Sequence, residues 1–90
     1  GVLLLFNADA TRQPPKPDAR LPVPPHGTTG QGHLCFAGTA ADIEGWKTRL
    51  EGAGIAIEAD FEWPNGGRSI YFRDPSGNSL EFAEPRIWGI

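Results

Sequence analysis

The chain has 90 residues, a formal net charge of −3 and one cysteine. This length allows at most one small domain, and the acidic balance argues against a nucleic-acid partner, because phosphate binding needs a basic surface. The single cysteine, Cys35, excludes an intrachain disulfide and predicts a reducing, cytoplasmic location, while no apolar run approaches the ~20 residues that a membrane-spanning helix needs.

The first residues are apolar and lead into a proline-rich segment. The continuous apolar run Val2 to Phe6 predicts a strand that is covered on both faces. The chain begins inside this run and contains no methionine, so we expect a fragment or processed chain whose first part is missing. Residues 7–31 hold most of the nine prolines, which predicts a long connector without helix or central strand.

A strand and a helix follow the connector. Residues 33–37 alternate in a way that predicts a strand. Thr39 is a suitable helix N-cap, with Asp42 three residues later as the acidic half of a capping pair, and Gly54 can end the helix in the left-handed conformation. The helix has one apolar face, formed by Ile43, Trp46 and Leu50.

The rest of the chain predicts three more strands. Residues 55–61 alternate apolar and polar, and Asn65-Gly66 then indicates a turn. Residues 68–83 predict a hairpin, because Pro75 and Gly77 suit the tight turn between its two alternating runs. Pro85 ends the last strand, and the tail after it contains Ile87, Trp88 and Ile90, which are too apolar to be left in water.

The order strand, helix, strand, strand, strand predicts an α+β fold with one helix on one face of a mixed sheet. Leu34, Phe36, Ile70, Phe72, Leu80 and Phe82 then face the helix. We call the opposite face the cup face; it carries His33, Cys35, Ser69, Tyr71, Glu81 and Ala83.

The cup face brings together an imidazole and a carboxylate, His33 and Glu81, from the first and last strands. Such a pair can contribute to a site for a divalent first-row ion, although a third ligand must come from elsewhere. The residues leave a second interpretation open, in which His33 is bonded to a neighbour and Glu81 is a solvated acid.

Two stretches resemble a known family. The run Gly32 to Phe36, and above all Tyr71 to Phe82 with its Asp-Pro-x-Gly-Asn-x-Leu-Glu pattern, are similar to the C-terminal module of the vicinal oxygen chelate superfamily. That group contains glyoxalase I, bleomycin resistance proteins, fosfomycin-resistance thiol transferases and extradiol dioxygenases. The resemblance implies two βαβββ modules around a cupped sheet. Residues 32–84 are then the second module, residues 1–6 the last strand of a truncated first module, residues 7–31 the connector and residues 85–90 the C-terminal tail.

The resemblance also implies a metal site. Metal-binding members place a histidine on the first strand of this module and a glutamate on its last, and His33 and Glu81 match those positions. It therefore implies a bound divalent ion (Mn, Fe, Zn or Ni), which this fragment by itself need not retain, with His33 and Glu81 as ligands and Glu81 as catalytic residue. The residues expected to contact substrate are Tyr71, Cys35, Ser69 and Arg68.

The sequence departs from some members of the family. Residues 1–6 offer no acid where glyoxalase I carries a further ligand on the last strand of its first module. Residues 68–72 lack the second histidine of extradiol dioxygenases, so dioxygenase chemistry is not expected. The fosfomycin-resistance pattern, two histidines and one glutamate, is compatible if one histidine lies upstream of Gly1.

Two functions therefore stay open. The first is a metal-dependent lyase, isomerase or transferase that acts on a small substrate with vicinal oxygens. The second is a metal-free protein that binds a drug or other small molecule, with Tyr71 and either Trp63 or Trp88 as a stacking surface. In both cases we expect Cys35 to be an apolar filler and the chain to pair with a second copy or with the missing module.

Overall fold

The structure, a computed structural model, describes residues 1–90, which divide into two compact units, residues 1–30 and residues 31–90. In the first unit the predicted strand over residues 1–6 is absent, and its apolar side chains are exposed. A strand needs a neighbour for its backbone hydrogen bonds, and this unit contains no strand that could supply them. Its assignment to a first module stays a prediction.

The connector contains one short helix, which the sequence analysis did not predict. Helix α1 spans Ala8–Thr11, and the Asn7 side chain caps it by accepting hydrogen bonds from the backbone N–H groups of Asp9 and Ala10. The proline argument holds only from Pro14 onward, because no proline precedes that position. The expectation of no helix in residues 7–31 was therefore wrong at its start.

The second unit contains the sheet. Its elements are β1 (His33–Ala37), α2 (Ala40–Gly52), β2 (Ala59–Glu62), β3 (Arg68–Arg73), β4 (Ser79–Ala83) and a final 3₁₀ turn (Pro85–Trp88). The strand order is β1-β4-β3-β2, in which β1 is parallel to β4 and the other pairs are antiparallel. This mixed four-stranded sheet with one helix confirms the predicted fold class.

Helix α2 begins and ends where its sequence signals predict. Thr39 and Asp42 form a complete capping box, and Gly54 takes a φ of +78° just after the helix. Ile43 is fully buried against a core that includes Ile70 and Phe72 of β3. The helix is therefore fixed on one face of the sheet, which leaves the cup face for other contacts.

Two expectations about the sheet and tail need correction. Strand β2 starts at Ala59 rather than residue 55. The Glu58 N–H still donates to the Tyr71 carbonyl, but in this register residues 55 and 56 lie opposite Pro75 and Asp74, beyond the end of β3 at Arg73. In the tail, Trp88 and Ile90 are 55% and 84% exposed, contrary to the expectation that they are covered. No helix in the structure is long and apolar enough to cross a membrane.

Candidate functional site

The sheet register fixes which side chains share the cup face. Cys35 and Tyr71 both lie directly opposite Glu81, on the two strands that flank β4. His33 lies two residues before Cys35 on β1, and Ser69 two residues before Tyr71 on β3. Since side chains alternate between the faces of a strand, all five side chains share the cup face.

Glu81 forms the centre of this group. Glu81 is only 4% exposed, and both of its carboxylate oxygens have partners. Oε1 lies 3.1 Å from His33 Nε2, and Oε2 accepts a 2.7 Å hydrogen bond from the Ser69 hydroxyl. A buried carboxylate needs such partners, because an unpaired charge in the interior is strongly unfavourable.

The His33 ring is oriented by its other nitrogen. Nδ1 lies 2.9 Å from the backbone oxygen of Ser79. A carbonyl oxygen only accepts, so Nδ1 carries a proton, and Nε2 points at the Glu81 carboxylate. Contact at this distance is satisfied by a hydrogen bond in either direction between Nε2 and Oε1, or by a cation held by both groups.

The arrangement with a shared cation has the donor chemistry of a metal site. A histidine that binds metal through one nitrogen usually donates the other N–H to a carbonyl or carboxylate, as His33 does to Ser79. The His33 side chain is 49% exposed and that of Glu81 is 5% exposed, so a group at His33 faces solvent on one side. No group of three or more histidine, cysteine or acidic side chains forms a complete ligand set in this chain.

Cys35 and Tyr71 line the carboxylate. Burial and then the nearby negative charge of Glu81 raise the pKa of the Cys35 thiol to about 11. Burial is also the largest cause that raises the pKa of Tyr71, and Glu81 adds to it. Both side chains are therefore protonated at neutral pH and present neutral S–H and O–H groups beside the carboxylate.

An aromatic row extends from His33 across the cup face. Tyr71 stacks with His33 at 6.0 Å and with Phe61 at 5.9 Å between ring centroids, and Phe61 meets Trp63 edge-on at 4.9 Å. The sequence analysis did not identify Phe61 as a site residue. Its pairing with Ser69 places it on this face, and that register could have been derived from the Trp63–Gly67 turn.

Arg68 does not join the other predicted site residues. It shares the helix face with Ile70, two residues later on β3. Its guanidinium binds Asp60 at 2.9 Å and Glu44 of α2 at 2.6 Å. The other five predicted site residues are together on the cup face, whereas Arg68 ties the helix to the sheet, and its predicted contact with substrate has no support from this placement.

The family relationship agrees with this geometry. A sequence profile of the Glyoxalase/Bleomycin resistance protein/Dioxygenase superfamily matches residues 2–82 of the chain. The chain therefore belongs to this superfamily, and the resemblance inferred from its motifs is confirmed.

Individual solved structures are also similar. The crystal structure of lactoylglutathione lyase from Agrobacterium tumefaciens is 43% identical, with a TM-score of 0.78 over 94% of this chain and 62% of that one. An integron cassette protein from the mobile metagenome of the Halifax Harbour sewage outfall is 30% identical, with a TM-score of 0.57 over 64% of this chain and 51% of that one. The chain thus spans less than two thirds of either protein. A comparison with curated proteins found no match.

Proposed function

We propose that the protein is a divalent-metal-dependent enzyme of the lyase, isomerase or transferase type, with its site around His33 and Glu81 on the cup face. One observation carries the proposal: a buried carboxylate oxygen of Glu81 lies 3.1 Å from His33 Nε2. The ring is fixed with that nitrogen toward the carboxylate, because Nδ1 is bonded to the Ser79 carbonyl.

His33 and Glu81 are the residues that would hold the ion, and Mn²⁺, Fe²⁺, Zn²⁺ and Ni²⁺ all suit an imidazole and carboxylate pair. When bound, the ion supplies a Lewis acid that polarises a substrate oxygen. Remaining ligands come from outside this pair, from substrate, water or another module. Glu81 places its buried carboxyl group at the reacting centre. Burial raises the pKa of Tyr71 and of Cys35, so both contribute neutral donors beside it.

The substrate class follows from the similarity to lactoylglutathione lyase. A lactoyl thioester carries a hydroxyl next to a carbonyl, and these vicinal oxygens can both approach one ion. We therefore propose a small 2-hydroxyacyl or 2-oxoacyl compound, with a thiol conjugate as the leading candidate. The low cysteine content supports the cytoplasmic location that such a thiol substrate needs.

A second function is favoured by the aromatic row. Phe61 and Trp63 are 39% and 38% exposed, and with Tyr71 they offer stacked and edge-on ring surface on the cup face. A planar drug-like molecule can bind such a surface without any ion. In that case the protein is a small-molecule binding or resistance protein of the same fold.

Isothermal titration of the metal-stripped protein with Zn²⁺ or Mn²⁺ tests the first function. We expect one ion per chain, with affinity reduced on the order of a hundredfold or more in His33→Ala and Glu81→Gln, since each removes a direct ligand. His26→Ala and Glu62→Gln are matched controls that remove the other histidine and an exposed acid, and they should bind like the wild type. Equal binding by all five proteins contradicts the metal-dependent function.

Turnover distinguishes the two functions. The metal-loaded protein should form S-lactoylglutathione from the hemithioacetal of glutathione and methylglyoxal, an isomerisation in which the carbon bearing sulfur loses a hydrogen and the adjacent carbonyl carbon gains one. The gain of thioester absorbance follows this turnover, and the His33→Ala variant should not show it. Tight binding of planar aromatic compounds by the stripped protein, without turnover in the loaded one, favours the metal-free function instead.

A further inference from the structure

A hydrogen-bonded chain runs from Trp63 to the candidate ligand Glu81. The indole Nε1 of Trp63 lies 2.8 Å from the Ser69 hydroxyl oxygen, and that oxygen lies 2.7 Å from Glu81 Oε2. An indole N–H can only donate, so the hydroxyl accepts from Trp63 and its own proton goes to the carboxylate. The direction of every bond in the chain is therefore fixed.

The centre of this chain is closed to solvent. Ser69 is 0% exposed and Glu81 is 4% exposed, so water does not compete for either bond. Every buried side-chain polar atom in the structure has a partner. Turning the Glu81 carboxylate away from Ser69 would leave the buried hydroxyl proton without an acceptor, which is unfavourable in a site closed to water.

The position of Trp63 is set by a turn that requires glycine. The Trp63 N–H donates to the Gly67 carbonyl at 2.9 Å, and the Gly66 N–H donates back to the Trp63 carbonyl at 2.8 Å. Gly67 has a φ of +96°, and a Cβ there would collide with the Ile87 side chain. The turn thus holds the indole over the cup face, and Ser69 passes this constraint to Glu81.

We propose that Ser69, held in orientation by Trp63, is a positioning residue that occupies Oε2 of Glu81 and presents only Oε1 at His33. This inference rests on the proposed metal function. It goes beyond that function by assigning how Glu81 would bind an ion, namely through one carboxylate oxygen. Without the Ser69 hydroxyl, Glu81 would bind the ion through both oxygens, or the ion would bind more weakly. The structural pattern is the outer-shell support that tunes metal ligands in proteins.

Ion affinity is the first test. We expect Ser69→Ala to weaken Zn²⁺ binding by about 10- to 100-fold in isothermal titration, the range typical for loss of an outer-shell partner. Trp63→Phe keeps an aromatic ring but removes the N–H, and should weaken binding by a smaller factor. Ser69→Thr restores the hydroxyl and should recover affinity relative to Ser69→Ala, while Ser76→Ala, an exposed serine in the β3–β4 turn, should leave it unchanged.

The coordination mode is the second test, and a merely structural role would not alter it. The separation between the two carboxylate stretching bands in infrared difference spectra distinguishes binding through one oxygen from binding through two. On Zn²⁺ addition the wild type should show the one-oxygen pattern, absent in Glu81→Gln, and Ser69→Ala should shift toward the two-oxygen pattern.

The outcomes separate this inference from the proposed function. If Ser69→Ala and Trp63→Phe bind Zn²⁺ like the wild type with an unchanged infrared pattern, while His33→Ala does not bind, the positioning role is overturned and the metal function stands. If His33→Ala also binds like the wild type, both fail. Trp63→Phe tests the positioning role of Ser69 even if Ser69→Ala does not fold, because it leaves the buried Ser69 hydroxyl in place and removes only the N–H that orients it.

Discussion

At the residue scale, Glu81 combines burial with charge in a way that suits function better than stability. It is 4% exposed on a strand whose neighbouring helix-face residues are apolar. Buried ionic groups contribute little net stability, because desolvation offsets most of their pairing energy. Its hydrogen bonds to His33 and Ser69 therefore fix its orientation more than they stabilise the fold.

The small net contribution of Glu81 to stability gives a prediction for the ion-free protein. Glu81→Gln keeps the shape of the side chain, and its amide group can keep both hydrogen bonds, because the amide oxygen can accept from Ser69 and the amide N–H can donate to His33 Nε2. The His33 side chain is 49% exposed, so no charge is left buried without a partner, and the free energy of unfolding should stay within about 1 kcal/mol of the wild type. Urea denaturation in the presence of a chelator measures it. A loss well above this value, on the order of 3 kcal/mol, would indicate that the carboxylate stabilises the fold.

Cys35 should be an unreactive thiol. Burial raises its pKa to about 11, against an ordinary value of 9.0, so at pH 8 its thiolate fraction is about 100-fold below that of a free cysteine. Alkylation by iodoacetamide should be slower by a similar factor and should accelerate only as the pH approaches 11. Rapid modification at pH 8 in the folded protein would contradict the assignment.

Cys35→Ala tests the same residue through activity. Because Cys35 is expected to fill space beside Glu81 without reacting, turnover by the variant should stay within a few fold of wild type. Complete loss of turnover in a variant with unchanged circular dichroism would make Cys35 part of the chemistry.

At the scale of elements, an ion-pair cluster joins α2 to the edge of the sheet. Asp60 of β2 accepts two hydrogen bonds from Arg68 of β3, each at 2.9 Å, and one from Lys47 of α2 at 2.8 Å. The bonds from Arg68, and then the bond from Lys47, hold the pKa of Asp60 well below its usual range. This cluster uses the arginine that the sequence analysis had assigned to substrate.

The lowered pKa of Asp60 predicts a pH-dependent stability. A carboxylate with a depressed pKa in the folded state stabilises the protein above its unfolded-state pKa of about 3.9. Asp60→Asn should therefore lose about 1–2 kcal/mol at neutral pH, and the difference from wild type should shrink as the pH falls below about 4. Denaturation curves at several pH values measure it, with Glu62→Gln on the same strand as control; a pH-independent difference contradicts the argument.

The elements that the sequence predicted correctly are those whose signals lie within a few neighbouring residues. The capping box of Thr39 and the Asp74–Asn78 turn are encoded within a few residues, so α2 and the β3–β4 hairpin formed as expected. The cup-face position of His33 and Glu81 followed from strict alternation. The strand expected at residues 1–6 needs a distant partner, which local pattern cannot supply.

The site was less predictable because it depends on register between strands. Phe61 lies on the cup face through its pairing with Ser69, and Trp63 reaches Ser69 only because the turn folds its indole back. Arg68 could have been placed correctly from the sequence, because it is two residues from Ile70 and must share its face.

At the scale of the whole molecule, the chain has few means to be stable alone. The buried apolar core of the second unit consists of few side chains, and Leu34, Trp46, Phe61 and Trp63 remain 38% to 39% exposed. A small unit that buries little surface and exposes aromatic residues gains from a partner. This agrees with the expectation of pairing with a second copy or a further module.

Sedimentation tests this expectation directly. The purified chain should sediment as a dimer at micromolar concentration, and Trp63→Ser or Phe61→Ser should shift it toward monomer, since both rings lie on the cup face. Trp88→Ser, which changes an exposed residue of the tail, is the control. A stable, folded monomer in the wild type would contradict the expectation.

The central claim is that His33 and Glu81 together hold a divalent ion. The most direct measurement is a crystal of the Zn²⁺-loaded protein with anomalous data collected at the zinc absorption edge. The account predicts one strong peak on the cup face, about 2.0–2.2 Å from both His33 Nε2 and Glu81 Oε1, with Ser69 still bonded to Oε2. A map in which zinc lies elsewhere, while His33 Nε2 and Glu81 Oε1 remain in direct contact, would contradict it.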